Sequence, residues 1–202
     1  MLNFCCDKPP DSIQINGADY PVRTDFFVWI KILSLIRQLD GTGDEIAAQS
    51  NANVIVRIIY LAFETPEKVA QNCSCDDILT AVYQFSKGYN RPSAESAYSS
   101  SDDDREIVNF EYDLNYILIA IRNQTGIDLT HKGRKPFHWW DFLLEFETLE
   151  ERHYISRLMS RRAYKGKDAD LIKLREASKI PEEFTRTKSE ERNDDKFNSY
   201  FT

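Results

Sequence analysis

The chain has 202 residues, of which 42% are hydrophobic and 29% charged, and its formal net charge is −7. Such a composition is typical of a globular protein that can bury a core without disulfide or metal support. An acidic chain disfavours nucleic acid and anionic lipid as partners unless its basic residues are segregated. The sequence contains no stretch of about 18 uncharged apolar residues, and residues 1–7 do not resemble a signal peptide, so we expect no membrane span and a cytoplasmic location.

The first predicted element is a short β-hairpin. Ile13-Gln14-Ile15 is followed by Asn16-Gly17 and then by Tyr20-Pro21-Val22. Asn-Gly tolerates the positive φ angles that a tight turn requires. The connecting loop is slightly long in this interpretation, and Pro21 limits the second arm to the edge of a sheet.

Hydrophobic spacing, capping residues and helix breakers then predict six to seven helices. Their approximate bounds are 25–38, 44–63, 74–87, 110–123, 137–147, 150–163 and 168–178. We expect Thr24 and Ser74 to act as N-caps and Gly126 as a left-handed C-terminal cap. Val54-Ile55-Val56, in the second helix, is β-branched and could be extended instead. The predicted fold class is mainly α: one compact, bundle-like domain with a short N-terminal β-hairpin.

The predicted domain organisation places the helical domain at residues 13–179. Residues 1–12 are expected to be a flexible N-terminus, and residues 180–202 a loosely ordered polar tail. Residues 90–106 include three consecutive serines followed by three aspartates and show no apolar periodicity, which predicts a mobile acidic loop inside the domain.

Charge is unevenly distributed along the second half of the chain. Residues 152–179 contain nine basic and three acidic residues, a local net charge of +6, whereas residues 102–151 contain five basic and twelve acidic, a local net charge of −7. The two segments could form separate solvated helix surfaces, or complementary surfaces used in self-association. The sequence leaves both interpretations open.

The segment from Phe137 to Phe146 is apolar around most of a helix circumference. Its apolar side chains form two rows, one of Phe137, Trp140 and Leu144 and one of Trp139, Phe142, Leu143 and Phe146. A surface helix has one polar face, so this helix must bury two sides. Either it is the centre of the core, or one side contacts a partner. The helix that begins near Asp25 has a similar excess.

The run Phe137-His138-Trp139-Trp140-Asp141-Phe142 resembles the most distinctive motif of a phage family known as the "gene product fifteen" family. Further segments resemble other blocks of that family in the same order, although Phe27 stands where an arginine is expected and the acidic loop looks like an insertion. These segments are Tyr20 to Phe26 with Trp29-Ile30, Phe110 to Asp113 with Tyr116-Ile117, Gly126 to Leu129, and Ile155, Met159 and Arg162 followed by Lys165 to Asp168. The resemblance covers about residues 13–179.

This resemblance implies a non-enzymatic protein from the tail-assembly region of a phage or prophage. By gene position and size the family looks like a tail assembly chaperone, which self-associates in the host cytoplasm, holds the tape measure protein and helps recruit tail tube subunits. From excess hydrophobicity and charge we expect the following residues to contact partners: Phe27, Trp29, Phe137, Trp139, Trp140, Phe142, Phe146, Arg157, Arg161 and Arg162.

Two other functions remain open. A small helical nucleic-acid-binding or regulatory phage protein could use the basic 157–173 region with Tyr154 and Tyr164 as stacking platforms, although the overall charge makes nucleic acid the less favoured partner. A small hydrolase could use His138 and Asp141, which are three residues apart on a predicted helix.

No cofactor or metal is expected. Cys73 and Cys75 lack a matching second pair of ligands, the three histidines are scattered, and Cys5-Cys6 has no assignable role. Cys73-Ser74-Cys75 is more simply the start of a helix.

Overall fold

The computed structural model describes residues 8–39, 45–88, 106–131 and 133–185. These residues confirm a mainly α fold with an N-terminal β-hairpin. The strands are β1 Ser12–Ile15 and β2 Ala18–Pro21. The described residues form eight α-helices and one short 3-10 helix, Glu182–Phe184: α1 Phe26–Ile36, α2 Glu45–Ala62, α3 Pro66–Asn72, α4 Cys75–Ser86, α5 Leu114–Thr125, α6 Trp139–Glu147, α7 Tyr154–Arg162 and α8 Ala169–Ala177.

Several sequence predictions fall beyond these residues. Most of the acidic loop predicted at 90–106, the first seven residues of the predicted flexible N-terminus, and 186–202 of the predicted tail lie outside the described residues. Cys5 and Cys6 lie there too. None of the described helices is both long enough and apolar enough to cross a membrane.

Contacts within the chain divide the described residues into two compact units. The first contains the residues up to 88 together with Pro136–Leu143, and the second contains the remaining residues from 106 to 185. The predicted division into one helical domain with two tails stays a prediction.

The hairpin turn is tighter than predicted. Strands β1 and β2 pair antiparallel with Ile15 opposite Ala18, so only Asn16 and Gly17 connect them. Both residues have positive φ angles, 51° and 81°, as a two-residue type I′ turn requires. The prediction of a longer loop was wrong because β2 begins at Ala18, two residues before Tyr20.

Helix α1 is capped by Asp25 rather than by Thr24. One oxygen of the Asp25 carboxylate accepts a hydrogen bond from the backbone N–H of Phe27 at 3.1 Å, and the other accepts from the N–H of Phe137 at 3.2 Å. The backbone carbonyl of Thr24 accepts from the N–H of Trp139 at 2.7 Å. Residues 137 and 138 are therefore extended beside Asp25, and this is why α6 begins at Trp139 and not at Phe137 as predicted.

Helix α2 includes Val54-Ile55-Val56, so the extended alternative for this segment was wrong. Val54, Ile58 and Ile59 are buried along one face of the helix, and that burial outweighs the modest helix propensity of β-branched residues. At its C-terminal end the Arg23 guanidinium donates to the carbonyls of residues 60, 61 and 63, where a positive charge complements the helix dipole.

The structure confirms two predicted helix caps and adds one helix. Ser74 Oγ accepts from the N–H of Asp77 at 3.1 Å, and Gly126 ends α5 with a φ angle of 79°. Helix α3 was not predicted. Pro66 occupies the first turn of α3, where its missing N–H would have had no helical partner.

Candidate partner-binding surface

Four of the predicted contact residues lie in the core of the first unit. Trp29, Trp139 and Phe142 are 0% exposed, and Trp140 is 8% exposed. Each indole N–H also donates to a backbone carbonyl: Trp29 to Arg23 at 2.7 Å, Trp139 to Ser86 at 2.9 Å, and Trp140 to Phe85 at 2.9 Å. Trp139, Trp140 and Phe142 match the core alternative for the segment from Phe137 to Phe146, and none of the four side chains exposes more than 8% of its surface to a partner in this structure.

The remaining predicted aromatics are half-buried. The Phe26 ring stacks on Phe142 and on Phe27, with centroids 4.6 and 4.3 Å apart, while Phe137 meets Phe26 edge-on at 6.4 Å. Phe27 and Phe137 therefore cover this aromatic stack and keep part of their own surface exposed. In the second unit, Phe146 packs edge-on against Phe110 with centroids 5.1 Å apart.

Arg162 is not a surface cation, and its prediction as a partner contact is corrected. Its side chain is 4% exposed and pairs with the Asp113 carboxylate, which is 0% exposed. Two of its nitrogens reach the two carboxylate oxygens at 2.7 and 3.0 Å. The guanidinium also donates to the carbonyls of Ile107 and Ser178. Arg162 therefore ties together three segments of the second unit around one buried charge.

Arg157 and Arg161 differ from Arg162 because they lie on the outer side of α7. Arg157 is exposed and Arg161 is half-buried. Ile155 and Leu158 form the buried side of the same helix. Of the three predicted basic contacts, these two remain available at the surface.

Sequence reasoning missed the outward side of α5. Residues 116–121 are six consecutive apolar residues, so they surround the whole helix and cannot all be buried. Tyr112 and Tyr116 are exposed, while Leu118 is buried. Tyr116 and Ile119 are 43% and 46% exposed and form the outward row. The continuous apolar run was the available signal.

Helices α5 and α7 together form an exposed apolar surface on the second unit. Tyr154, at the start of α7, is 46% exposed, and its ring centroid lies 4.9 Å from that of Tyr116. We define the α5–α7 face as Tyr116, Ile119, Tyr154 and Arg157. These residues line a shallow groove of about 250 Å³, together with Ala120, Asn123, Arg152 and His153.

Gln124 forms hydrogen bonds with residues 148, 150 and 153, which lead into helix α7. Gln124 Oε1 accepts from the backbone N–H of Glu150 at 3.0 Å and lies 3.1 Å from His153 Nε2. The Gln124 amide nitrogen donates to the carbonyl of Thr148 at 3.0 Å. Because Gln124 belongs to α5 and His153 precedes α7, these bonds fix the two helices around the groove.

The charged side chains that line the groove are basic. Its lining includes the guanidinium groups of Arg152 and Arg157 and, among the residues that the structure describes there, no carboxylate. Arg152 pairs with the exposed Glu150 at 3.0 Å, an interaction that solvent weakens strongly. The surface therefore combines tyrosine and isoleucine side chains with arginine, and it favours an apolar ligand that carries negative charge.

A family model described as "Bacteriophage Gp15 protein" matches residues 6–185 of the chain. The chain belongs to this family. The match confirms the resemblance inferred from the paired tryptophans and the segments around them. No curated protein and no solved structure matches the chain.

In this Gp15 protein, both ring nitrogens of His138 are engaged by the backbone. Nε2 lies 3.0 Å from the carbonyl oxygen of Pro10, and Nδ1 accepts from the N–H of Trp140 at 3.0 Å. The neutral ring with its proton on Nε2 satisfies both contacts. A general base needs a free nitrogen that faces the substrate, so the geometry favours a structural role for His138. That the protein is not an enzyme stays a prediction.

The stability of the Gp15 protein is expected to depend on the protonation of His138. Burial lowers the pKa of His138, against the opposing effects of the Pro10 carbonyl and of Asp141 and Asp11. Because the folded-state pKa lies below the unfolded value of about 6.5, this contribution to stability is present above pH 6.5 and is lost as the pH falls through the folded-state pKa. Protonated Nδ1 could no longer accept from Trp140.

The measurement is urea unfolding of the wild type and of His138→Gln between pH 8 and pH 5. We expect the difference in unfolding free energy between the two proteins to shrink on acidification. Burial raises the pKa of Asp141, which acts in the opposite direction in both proteins, and the nearby His138 partly offsets that rise only in the wild type. A difference that stays constant or grows on acidification would contradict the proposed dependence of stability on the protonation of His138.

The cysteines that the structure describes do not form a ligand cluster. The Cys73 sulfur lies 3.4 Å from the Tyr20 hydroxyl, and Cys75 is exposed at the first position of α4. Within the described ranges, no group of three or more histidine, cysteine, aspartate or glutamate residues is placed to hold a metal ion. Cys73-Ser74-Cys75 is the start of a helix capped by Ser74, as predicted.

Proposed function

We propose that this Gp15 protein is a tail assembly chaperone that binds the tape measure protein of its phage in the host cytoplasm. In this proposal it also self-associates and helps to recruit tail tube subunits. Two findings support the proposal: membership of the phage family and the exposed α5–α7 face. The observation that carries it is the exposure of Tyr116, Ile119 and Tyr154 beside Arg157 on two helices that are otherwise well packed.

The proposed mechanism is reversible covering of apolar surface. A tape measure protein is long and helical, and its apolar stripes would aggregate before the tail tube encloses them. Tyrosine and arginine are enriched among residues that dominate the energy of protein interfaces. A shallow groove lined by such residues can bind a helix and release it again, because its contacts are few and partly solvated.

Self-association is proposed on the charge distribution and on the half-buried aromatics. The basic segment 152–179 and the acidic segment 102–151 have opposite net charges. Phe27 and Phe137 add partly exposed apolar surface on the first unit. Association through such charges should weaken at high salt, whereas apolar contacts should persist.

Co-expression tests the chaperone proposal. We expect the tagged Gp15 protein to co-purify with the tape measure protein of the same phage and to increase the soluble fraction of that protein. The double variant Ile119→Ala/Tyr154→Ala should lower the co-purified amount by about tenfold, because it removes the centre of the exposed apolar surface. Circular dichroism should show both proteins equally folded.

Tyr60→Ala is the matched control, since Tyr60 is 51% exposed on α2 of the first unit. It should leave co-purification unchanged. If the wild type fails to retain the tape measure protein, or if Tyr60→Ala and the double variant reduce retention equally, the proposed use of this surface is wrong.

Nucleic-acid binding is the alternative, and one observation favours it. Tyr116 and Tyr154 are exposed next to Arg157, an arrangement that could stack bases beside a phosphate contact. The burial of Arg162 removes one cation from the predicted basic patch. Binding to a labelled single-stranded oligonucleotide that weakens steeply between about 50 and 200 mM salt would support the alternative.

A further inference from the structure

We infer that the α5–α7 face binds an amphipathic helix whose apolar row is flanked by carboxylates. The inference rests on the proposed function and names the chemistry of the tape-measure segment that would occupy this surface. It follows from the shape of the groove and from the charges that line it.

The groove is suited to aliphatic side chains on a helix. At about 250 Å³ and open on one side, it can accept one or two such side chains but not a folded loop. Its apolar lining comes from Ile119 and Ala120 and from the rings of Tyr116 and Tyr154. Helices bind such grooves through residues spaced three or four apart. A helical segment therefore fits the surface better than an extended strand, which would need unpaired backbone groups along the groove.

The charged residues of the α5–α7 face determine which residues should lie beside the apolar row of the partner helix. Arg152 and Arg157 line the groove, and Arg161 follows Arg157 by four residues, on the same side of α7. Two carboxylates one turn apart on the partner could pair with Arg157 and Arg161. A partner with lysine at those positions would be repelled, so the arrangement selects for sign as well as for apolarity.

Two synthetic helical peptides test this directly against the full chain. They share one row of leucines on an alanine scaffold and differ only in the flanking residues, which are glutamate in one and lysine in the other. We expect fluorescence anisotropy to show at least about tenfold tighter binding of the glutamate peptide. Arg157→Glu should weaken the binding of the glutamate peptide by about tenfold and should strengthen the binding of the lysine peptide.

Lys173→Glu is the matched charge-reversal control, because Lys173 is 80% exposed on α8 and lies outside the groove lining. It should change the binding of neither peptide by more than about twofold. The inference is overturned if the two peptides bind equally, if Arg157→Glu and Lys173→Glu have the same effect, or if only a second copy of the Gp15 protein occupies the face.

The peptide result and the co-purification result are separable. If the wild-type chain retains the tape measure protein and Arg157→Glu retains it equally, the chaperone proposal stands and the assigned surface is wrong. If the glutamate peptide binds as expected but the tape measure protein is not retained, the surface chemistry stands and the proposed partner is wrong.

Discussion

Replacing Arg162 with alanine should lower the free energy of unfolding by about 3–5 kcal/mol. The substitution would leave the Asp113 carboxylate, which is 0% exposed, without its counter-ion. It would also remove the donors to the carbonyls of Ile107 and Ser178. Two charged bonds of 2.7 and 3.0 Å would be lost together. Urea denaturation followed by circular dichroism measures the change.

Two companion variants determine whether the pair itself is the cause. Arg161→Ala, at the half-buried neighbouring arginine, should cost less than about 1 kcal/mol. The double variant Asp113→Leu/Arg162→Met should recover part of the loss, because an apolar pair of similar volume leaves no unpaired buried charge. It does not restore the hydrogen bonds to the carbonyls of Ile107 and Ser178, and it also removes the one from the N–H of Asn109. A cost below about 1 kcal/mol for Arg162→Ala would show that the guanidinium is not buried in solution.

Replacing Trp139 with alanine should lower the free energy of unfolding by about 3–5 kcal/mol, because Trp139 lies in the core of the first unit. The side chain is fully buried, stacks on Phe142 with ring centroids 5.6 Å apart, and donates its indole N–H to Ser86 at 2.9 Å. Its removal would leave a cavity and an unpaired carbonyl. Thermal and urea unfolding measure the loss.

The matched control for Trp139→Ala is Tyr154→Ala, an aromatic truncation at a 46% exposed position. It should change the unfolding free energy by no more than about 0.5 kcal/mol. If instead Trp139→Ala left stability unchanged and abolished association with another protein, Trp139 would lie at an interface and the core assignment would fail.

The sequence was sufficient to predict those elements whose signals are local. The Asn16-Gly17 turn, the Ser74 cap and the Gly126 terminator each depend on the conformational or hydrogen-bonding properties of one or two residues. Helix α3 was missed because Pro66 reads equally well as a breaker and as a first-turn residue. The start of α6 was misplaced because Phe137 is held by Asp25, a residue 112 positions away.

The sequence had already singled out Arg157 and Tyr154 on α7. The α5 part of the candidate surface could not be predicted, because it depends on which side of an apolar helix is covered. Periodicity shows that α5 and α6 have apolar residues on more than one side, but not which neighbour packs against each side. In α6 the tryptophans are covered by the chain itself, whereas in α5 Tyr116 and Ile119 are not. Arg162 was assigned to the surface for the same reason, since a run of basic residues does not reveal a buried carboxylate that lies 49 positions earlier.

The most direct test of the account is photo-crosslinking at position 119 in cells that assemble the phage. A photoreactive phenylalanine analogue replaces Ile119 in the centre of the α5–α7 face, and in a parallel culture it replaces Lys31, which is exposed on α1. We expect a crosslink from position 119 to the tape measure protein and none from position 31. Crosslinks from position 119 only to other proteins or to nucleic acid, or equal crosslinking from both positions, would contradict it.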